Sequence, residues 1–402
     1  MSNEKKYICI TVLNNIVDVF INGAIFITFL KYWGMSGSKI SSLNFAGNII
    51  CVLANILLVF ILDKIIKIKR DYCICCIANV IYCCIILFVN LSFAYLGDVA
   101  ISIATGMFCA RKGYAVIFSQ LYEKLPYRIL NMNNIVDAEN GIIIPSLIMG
   151  ILVNGAYTLL GFVIDFRYLI TIFMSINIVF AVTIVLIVCS LKENDYGSES
   201  IGETRGKRYI LGLISMLKKP YCIITNSANL FRGIAYGIIG MVPAVMASEI
   251  SSSGGALSFM AIAVNLSSFI VGIIYLKFLR RDNIVKFIIL GSIISSVSLT
   301  VMILFKNIVY FYIIYILMLI GNSCIDRNIL IYYKNIVPYE NYGRFTTTRE
   351  IIVTFGMAVG AYVCSIFIDQ HPYAILAFAG ICKLIFGLII MLFSGKIKEI
   401  KF

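Results

Sequence analysis

Asp18 and Arg232 occupy the same place in two copies of one pattern. Tyr7–Gly23 reads YICITVLNNIVDVFING and Tyr221–Gly237 reads YCIITNSANLFRGIAYG. Aligned without a gap, Tyr7 meets Tyr221, Ile10 meets Ile224, Thr11 meets Thr225, Asn15 meets Asn229 and Gly23 meets Gly237. At the one strongly charged position an acid faces a base. Both ions lie inside long apolar runs, where a charge is costly and by default functional. A carboxylate and a guanidinium there can hold each other, a polar solute, or a proton. Each sits in a polar stripe at helical spacing. Asn14, Asp18 and Asn22 recur every four residues with Asn15 adjacent, and Asn226, Asn229, Arg232 and Tyr236 form the matching stripe.

A second pair of copies carries more charge. GMFCARKG (Gly106–Gly113) resembles GNSCIDRN (Gly321–Asn328), which places Arg111 and Lys112 in one apolar run and Asp326 and Arg327 in another. Asp326 is expected to neutralise Arg327 locally or to reach Arg111. The group acts as a gate or as snorkelling interface residues. Lys383 has no acidic neighbour in sequence and is expected to snorkel. Asp98 reads as a helix-start residue. YEKLPYRILNMNN and YYKNIVPYENYGRF read as loops, each with a proline, Pro126 or Pro338, shortly before the next helix. Asp137, Glu139 and Glu350 then stand near helix starts, where negative charge is favourable.

The elements that carry these residues follow from composition. The chain is 61% hydrophobic and 13% charged, with mean hydropathy +0.97, more apolar than a soluble domain of 402 residues needs. Apolar runs of roughly 20 residues, the length that crosses a bilayer as helix, recur at about 8–30, 40–62, 73–94, 98–120, 141–164, 168–190, 221–247, 255–279, 285–305, 308–333, 350–368 and 373–394. Helix is the default, because lipid offers backbone groups no partner and these runs are too long for barrel strands. The expectation is an all-α membrane protein of twelve transmembrane helices in two pseudo-symmetric six-helix bundles. Residues 1–190 form the first bundle and 221–402 the second. The polar stretch KENDYGSESIGETRGKR lies in a cytoplasmic linker, 191–220, with YILGLISMLKK as an interfacial helix. MSNEKK leads straight into the first run, so no cleaved signal is expected.

The net charge of +13 is distributed by loop and does not point to nucleic acid. Loops on one side hold most of the Lys and Arg residues, and those on the other hold Lys31, Lys39, Arg167 and Lys306. That bias predicts both termini in the cytoplasm. Trp33, the only tryptophan, is expected at the outer interface. Of the 13 cysteines, nearly all fall within spans, away from oxidising loops. Cys73, Cys76, Cys83 and Cys84 share one helix face, but the two pairs are about 10 Å of helix rise apart, too far for one tetrahedral ion. They read as packing residues. No metal or cofactor is expected.

At this point the whole chain resembles the major facilitator superfamily, in its twelve runs, its six-plus-six division, its central hydrophilic loop and its parallel repeat. The family's loop after the second span has the pattern G-x-x-x-D-(R/K)-x-G-(R/K)-(R/K). Here VFILDKIIKIKR keeps Asp63, Lys64 and Lys67, with Lys69 and Arg70 beyond, while Val59 and Ile66 replace the glycines. The second-half counterpart GIIYLKFLRRD keeps Gly272, Lys277, Arg280 and Arg281, with Leu276 in place of the acid. The resemblance implies a cytoplasmic gate at these residues. Gly141 and Pro145 match part of the family's antiporter motif, and Arg111 resembles the fourth-span arginine of proton-coupled members, although Ala115 stands where they have glycine.

The resemblance further implies that the first and seventh spans meet at a central cavity, with Asp18 and Arg232 paired there in at least one state. Asn14, Asn15, Asn22, Asn226, Asn229 and Tyr236 would line it. The function so implied is a secondary active transporter of the cytoplasmic membrane that exports a small organic solute against protons. Nutrient uptake, a uniporter, or a non-transporting sensor or scaffold of the same fold are the alternatives. The expected partners are a small-molecule substrate, protons and the lipid bilayer, with no nucleic acid, and the chain is expected to be a monomer. No G-x-x-x-x-G-K-(S/T) motif points to ATP, and a single histidine, His371, with no H-E-x-x-H argues against an enzyme.

Overall fold

The computed structural model describes residues 2–22, 30–31, 33–61, 68–130, 132–192, 218–250, 284–305, 307–337 and 339–399, with scattered residues of 259–271. Its helices are α1 (Asn3–Asn22), α2 (Gly37–Ile61), α3 (Ile68–Leu96), α4 (Asp98–Ile129), α5 (Met132–Val163), α6 (Phe166–Cys189), α7 (Pro220–Ile239), α8 (Val242–Ile250), α9 (Ile284–Met302), α10 (Ile308–Ile336), α11 (Tyr339–Phe367) and α12 (Pro372–Glu399). Among the described residues, eight stretches are long and apolar enough to cross a membrane: Gly37–Leu57, Ile68–Leu96, Arg167–Cys189, Pro220–Ala247, Ile284–Met302, Ile308–Tyr333, Phe345–Phe367 and Pro372–Phe393. The expected span at 255–279 and the linker with its interfacial helix lie largely outside the described residues. Large apolar side chains such as Phe88, Val163, Leu186 and Leu392 are exposed, as lipid-facing residues of a spanning helix are.

Most helices begin before or end after the apolar runs that predict them, while the run at 221–247 is divided into α7 and α8. Backbone hydrogen bonding does not stop where hydrophobicity does, so helices continue through polar turns. The stretch containing Pro126 is therefore not a loop: α4 runs through it to Ile129, with Pro126 in its last turn. Asp137 likewise falls inside α5, whose first residue is Met132. Asp98 is in the first turn of α4 as expected, after Gly97 at φ 49°, a value that favours a residue without Cβ. Asp165 and Asn307 cap α6 and α10 by accepting the amides of Arg167 and Val309 at 2.9 Å each.

The chain divides into two compact units. The first comprises Met1–Gly34, Leu57–Glu203 and Ser253–Ile262. In it α1 packs on α5 and α6, and α3 packs on α4 and α6. The unpaired carbonyls that end α6 gather cations and amides. Lys6 Nζ donates to the Ser190 carbonyl at 2.6 Å, Lys69 Nζ to Leu191 at 2.7 Å, and Asn3 Nδ2 to Lys192 at 2.8 Å. Two lysines expected only from charge bias thus also close a helix C-terminus. Trp33 is buried against protein, its ring stacked on Phe93 at 5.0 Å.

The second unit comprises Met35–Ile56, Thr204–Ser252 and Ala263–Phe402. In it α7 packs on α11 and α12, and α9 packs on α10 and α12. Small residues set these crossings. The carbonyls of Val353 and Met357 occupy the places where side chains on Gly233 and Gly237 would start, and the Gly321 carbonyl lies 2.7 Å from the Cβ position of Gly291. Below them Tyr221, Cys222, Ile288, Ile329, Tyr333, Phe345, Phe386 and Ile390 form a continuous buried core.

Candidate functional site

In the first unit, α1 presents Asp18 to Arg111 of α4. Arg111 Nη2 donates to Asp18 Oδ1 at 2.9 Å. The two ends of this pair differ sharply: the Arg111 side chain is 1% exposed and that of Asp18 is 45% exposed. Burial of the guanidinium is offset by aromatic faces, with its carbon 4.7 Å from the centre of Tyr114 and 5.9 Å from Phe118. Further hydrogen bonds tie α1, α3 and α4 around it. Tyr114 donates to Asn79 Oδ1 at 2.5 Å, Asn14 Nδ2 donates to the Tyr72 hydroxyl at 2.7 Å, and the Thr11 and Tyr122 hydroxyls share a bond of 2.5 Å. Arg111 Nε and Nη1 are buried without a hydrogen-bond partner.

In the second unit, α7 presents Arg232 to Asp326 of α10. Arg232 Nη2 donates to Asp326 Oδ1 at 2.5 Å, and the Tyr236 hydroxyl donates to the same oxygen at 2.5 Å. Here too the cation is the buried member, 12% exposed against 49% for the carboxylate. One turn away Tyr333 donates to Asn229 Oδ1 at 2.7 Å, with Asn229 fully buried. Arg349 pairs with Glu350 and lies 5.9 Å from the Tyr333 ring. Lys383 of α12 is 0% exposed, and its Nζ sits 3.7 Å from the centre of the Tyr236 ring without a hydrogen-bond acceptor.

The two pairs are the same pair with the charges exchanged. Asp18 aligns with Arg232 in the first repeat, and Arg111 aligns with Asp326 in the second. Phe118 and Tyr333, the rings beside each cluster, also align. An acid on α1 meets a base on α4, and a base on α7 meets an acid on α10. Inverting both members keeps each half neutral, which a single charge change in a low-dielectric wall would not.

In this structure Asp18 pairs with Arg111 and Arg232 with Asp326, one pair inside each half, and the expected pairing of Asp18 with Arg232 in at least one state stays an expectation. The Arg327 side chain lies outside the described residues, as do Asp63, Lys64, Gly272, Lys277, Arg280 and Arg281 and the side chain of Asn22. Lys112 has its ammonium 5.3 Å from the Phe108 ring. Asn15 is exposed and donates to Ser146 of α5 at 3.1 Å, so the α1 stripe divides between a buried edge and an open one. Asn226 stays local, donating to Cys222 Sγ at 3.1 Å. Lys383 does not snorkel but is enclosed.

Sequence reasoning missed Tyr72, Asn79, Tyr114 and Tyr333. The signal was present in each case, a hydrogen-bonding side chain inside an apolar run, but such residues are common and only tertiary contact separates these from the rest. Among the described residues no three His, Cys, Asp or Glu side chains are placed to hold a metal ion. Cys76 and Cys83 are buried while Cys84 is exposed, and Cys73 Sγ lies 3.6 Å from Cys189 Sγ.

No family model matches the chain, and no curated protein matches it either. Solved structures do. A nucleoside transporter, NupG, superposes with a TM-score of 0.67 at 15% identity over 98% of this chain and 99% of its own. A D-xylose–proton symporter gives 0.71 at 11% identity over 96% and 95%. A POT family transporter in complex with a thioalcohol-conjugated peptide gives 0.69 at 12% identity over 98% and 96%. The chain therefore shares the fold of these transporters over nearly its whole length.

Proposed function

We propose that this protein is a secondary active transporter that moves a small solute across the cytoplasmic membrane by alternating access, with proton binding at Asp18. One observation carries the reading: each half holds an Asp–Arg pair inside its helices, with the carboxylate about half exposed and the cation buried. An exposed carboxylate can take a proton or a solute group. Its release leaves a buried guanidinium unpaired, so occupancy at the open face is felt inside the wall. The Arg111–Asp18 pair then acts as the coupling switch, and Arg232, Asp326 and Tyr236 as solute contacts, together with Asn14, Asn15, Asn22, Asn226 and Asn229. Asp63, Lys64, Gly272, Lys277, Arg280, Arg281 and Arg327 serve the cytoplasmic gate, and both termini lie in the cytoplasm.

Export against an inward proton flow is the direction the partial antiporter motif at Gly141 and Pro145 favours. The likeness to a D-xylose–proton symporter favours uptake as the second reading. Purified protein in proteoliposomes, given a mixed solute panel with and without a pH gradient, tests both. Gradient-dependent movement of one solute class supports transport, and its sign chooses the direction. Binding without any flux would leave a sensor of the same fold.

A further inference from the structure

Among the described residues, Lys383 is the one buried cation that neither ion pair uses. It lies midway along α12, and all of its N–H groups lack an acceptor. An ammonium enclosed in this way loses its hydration with no replacement, whereas an uncharged amine does not. The same pocket also supports the charge. The Tyr236 ring presents its face at 3.7 Å, and Asp326, which Tyr236 hydrogen-bonds, attracts a cation there. Arg232 opposes it. Both protonation states have a counterpart in the surroundings, as reversible proton exchange requires.

We propose that Lys383 is a proton-exchange site in the second half, and that its charge controls the grip of Asp326 on Arg232 and Tyr236. The step is the addition of one proton from water to the amine, with no change in bonds between heavier atoms. With the amine neutral, one guanidinium faces one carboxylate and the cluster is closed. With the ammonium formed, two cations compete for Asp326, and the surplus charge favours opening the half-exposed carboxylate face to water or solute.

Among the described side chains, the elements around α12 add few other charges, with Lys286 in the first turn of α9. At the adjacent turns α9 offers Ser292 against Gly387 and Ser296 against Gly380. On α11, Arg349 and Glu350 are paired with each other. The only charged residue of α8 is Glu249. This inference deepens the proton-coupled reading and assigns a proton to a residue outside both ion pairs.

Thermal unfolding of the purified protein in detergent, followed against pH, tests it without any transport assay. An amine that loses its proton on folding makes the fold more stable as pH rises, because the unfolded chain then binds the extra proton. The wild-type Tm is expected to rise from near neutral pH towards about pH 10, where the unfolded lysine also loses its proton, with at most the slope of one proton. Lys383→Met should lose that slope and unfold at a higher temperature than wild type at the acid end. Lys383→Arg, which keeps its charge, should be flat and less stable throughout. A flat wild-type profile overturns the proposal, and so does a Lys383→Met protein with the wild-type slope. If only Lys383→Arg folds, the charge is a permanent structural one and the proposal fails. A transport assay that fails while the slope holds would fault the transport reading alone.

Discussion

At the residue scale, the asymmetry within each ion pair matters more than the pairing. Arg111 is sealed by Tyr114 and Phe118 while Asp18 stays half open, so the carboxylate is the member that can change partner. Asp18→Asn should therefore abolish gradient-driven flux and spare solute exchange, measured in the same liposomes with and without a pH gradient. Its stability cost should sit at the lower end of the roughly 3–5 kcal/mol for breaking a buried pair, since solvent already screens the acid. The exchanged charges of the second half suggest a sharper measurement. Asp18→Arg combined with Arg111→Asp recreates the polarity of Arg232 and Asp326. The double variant should unfold at a higher temperature than either single one, and a double-mutant cycle reads the coupling directly. Tyr333→Phe removes the donor to buried Asn229 and should cost about 1–3 kcal/mol in denaturant unfolding.

At the element scale, helices of the second unit approach closely enough for backbone to meet backbone. A methyl group at Gly291 would start 2.7 Å from the Gly321 carbonyl, so Gly291→Ala must separate α9 from α10. A loss of about 1–3 kcal/mol is expected from such overpacking, visible as a lower Tm. A second contact within the same unit ties the start of α2 to the turn between α11 and α12. The Ser38 amide donates to Asp369 Oδ2 at 3.2 Å, and Asn44 and Met241 meet at 2.8 Å. If transport requires this contact to open, Ser38→Cys with Asp369→Cys should stop flux under oxidation and recover with reductant. Flux unaffected by a formed crosslink would remove that contact from the cycle.

At the scale of the whole molecule, the expected topology places both ends on one side of the membrane. A fluorescent protein fused to the C-terminus should fold and fluoresce, while an alkaline phosphatase fused there should be inactive. The reverse result would invert the positive-inside assignment. Much of the architecture was legible beforehand. Length and hydropathy predict the helices, and eight stretches of the described residues meet the requirement for spanning. Pro126 misled because a proline in a polar stretch suggests a loop, whereas the last turn of a long helix accommodates it. The cytoplasmic motif residues around Asp63 and Arg280 remain a matter of resemblance.

The amino-acid sequence by itself determined that charges stand at matching depths in two copies of a helical pattern. A repeat is a one-dimensional fact, and an intramembrane ion announces itself by composition. It did not determine which ions meet. Asp18 and Arg232 align because they descend from the same position, and equivalent positions are related by the symmetry of the halves, not by contact. Only the tertiary structure decided that each pairs within its own half, with Arg111 and Asp326. The enclosure of Lys383 behind Tyr236 belongs to the same level, because burial depends on what α7 and α12 place around a side chain, and no spacing along one helix records it.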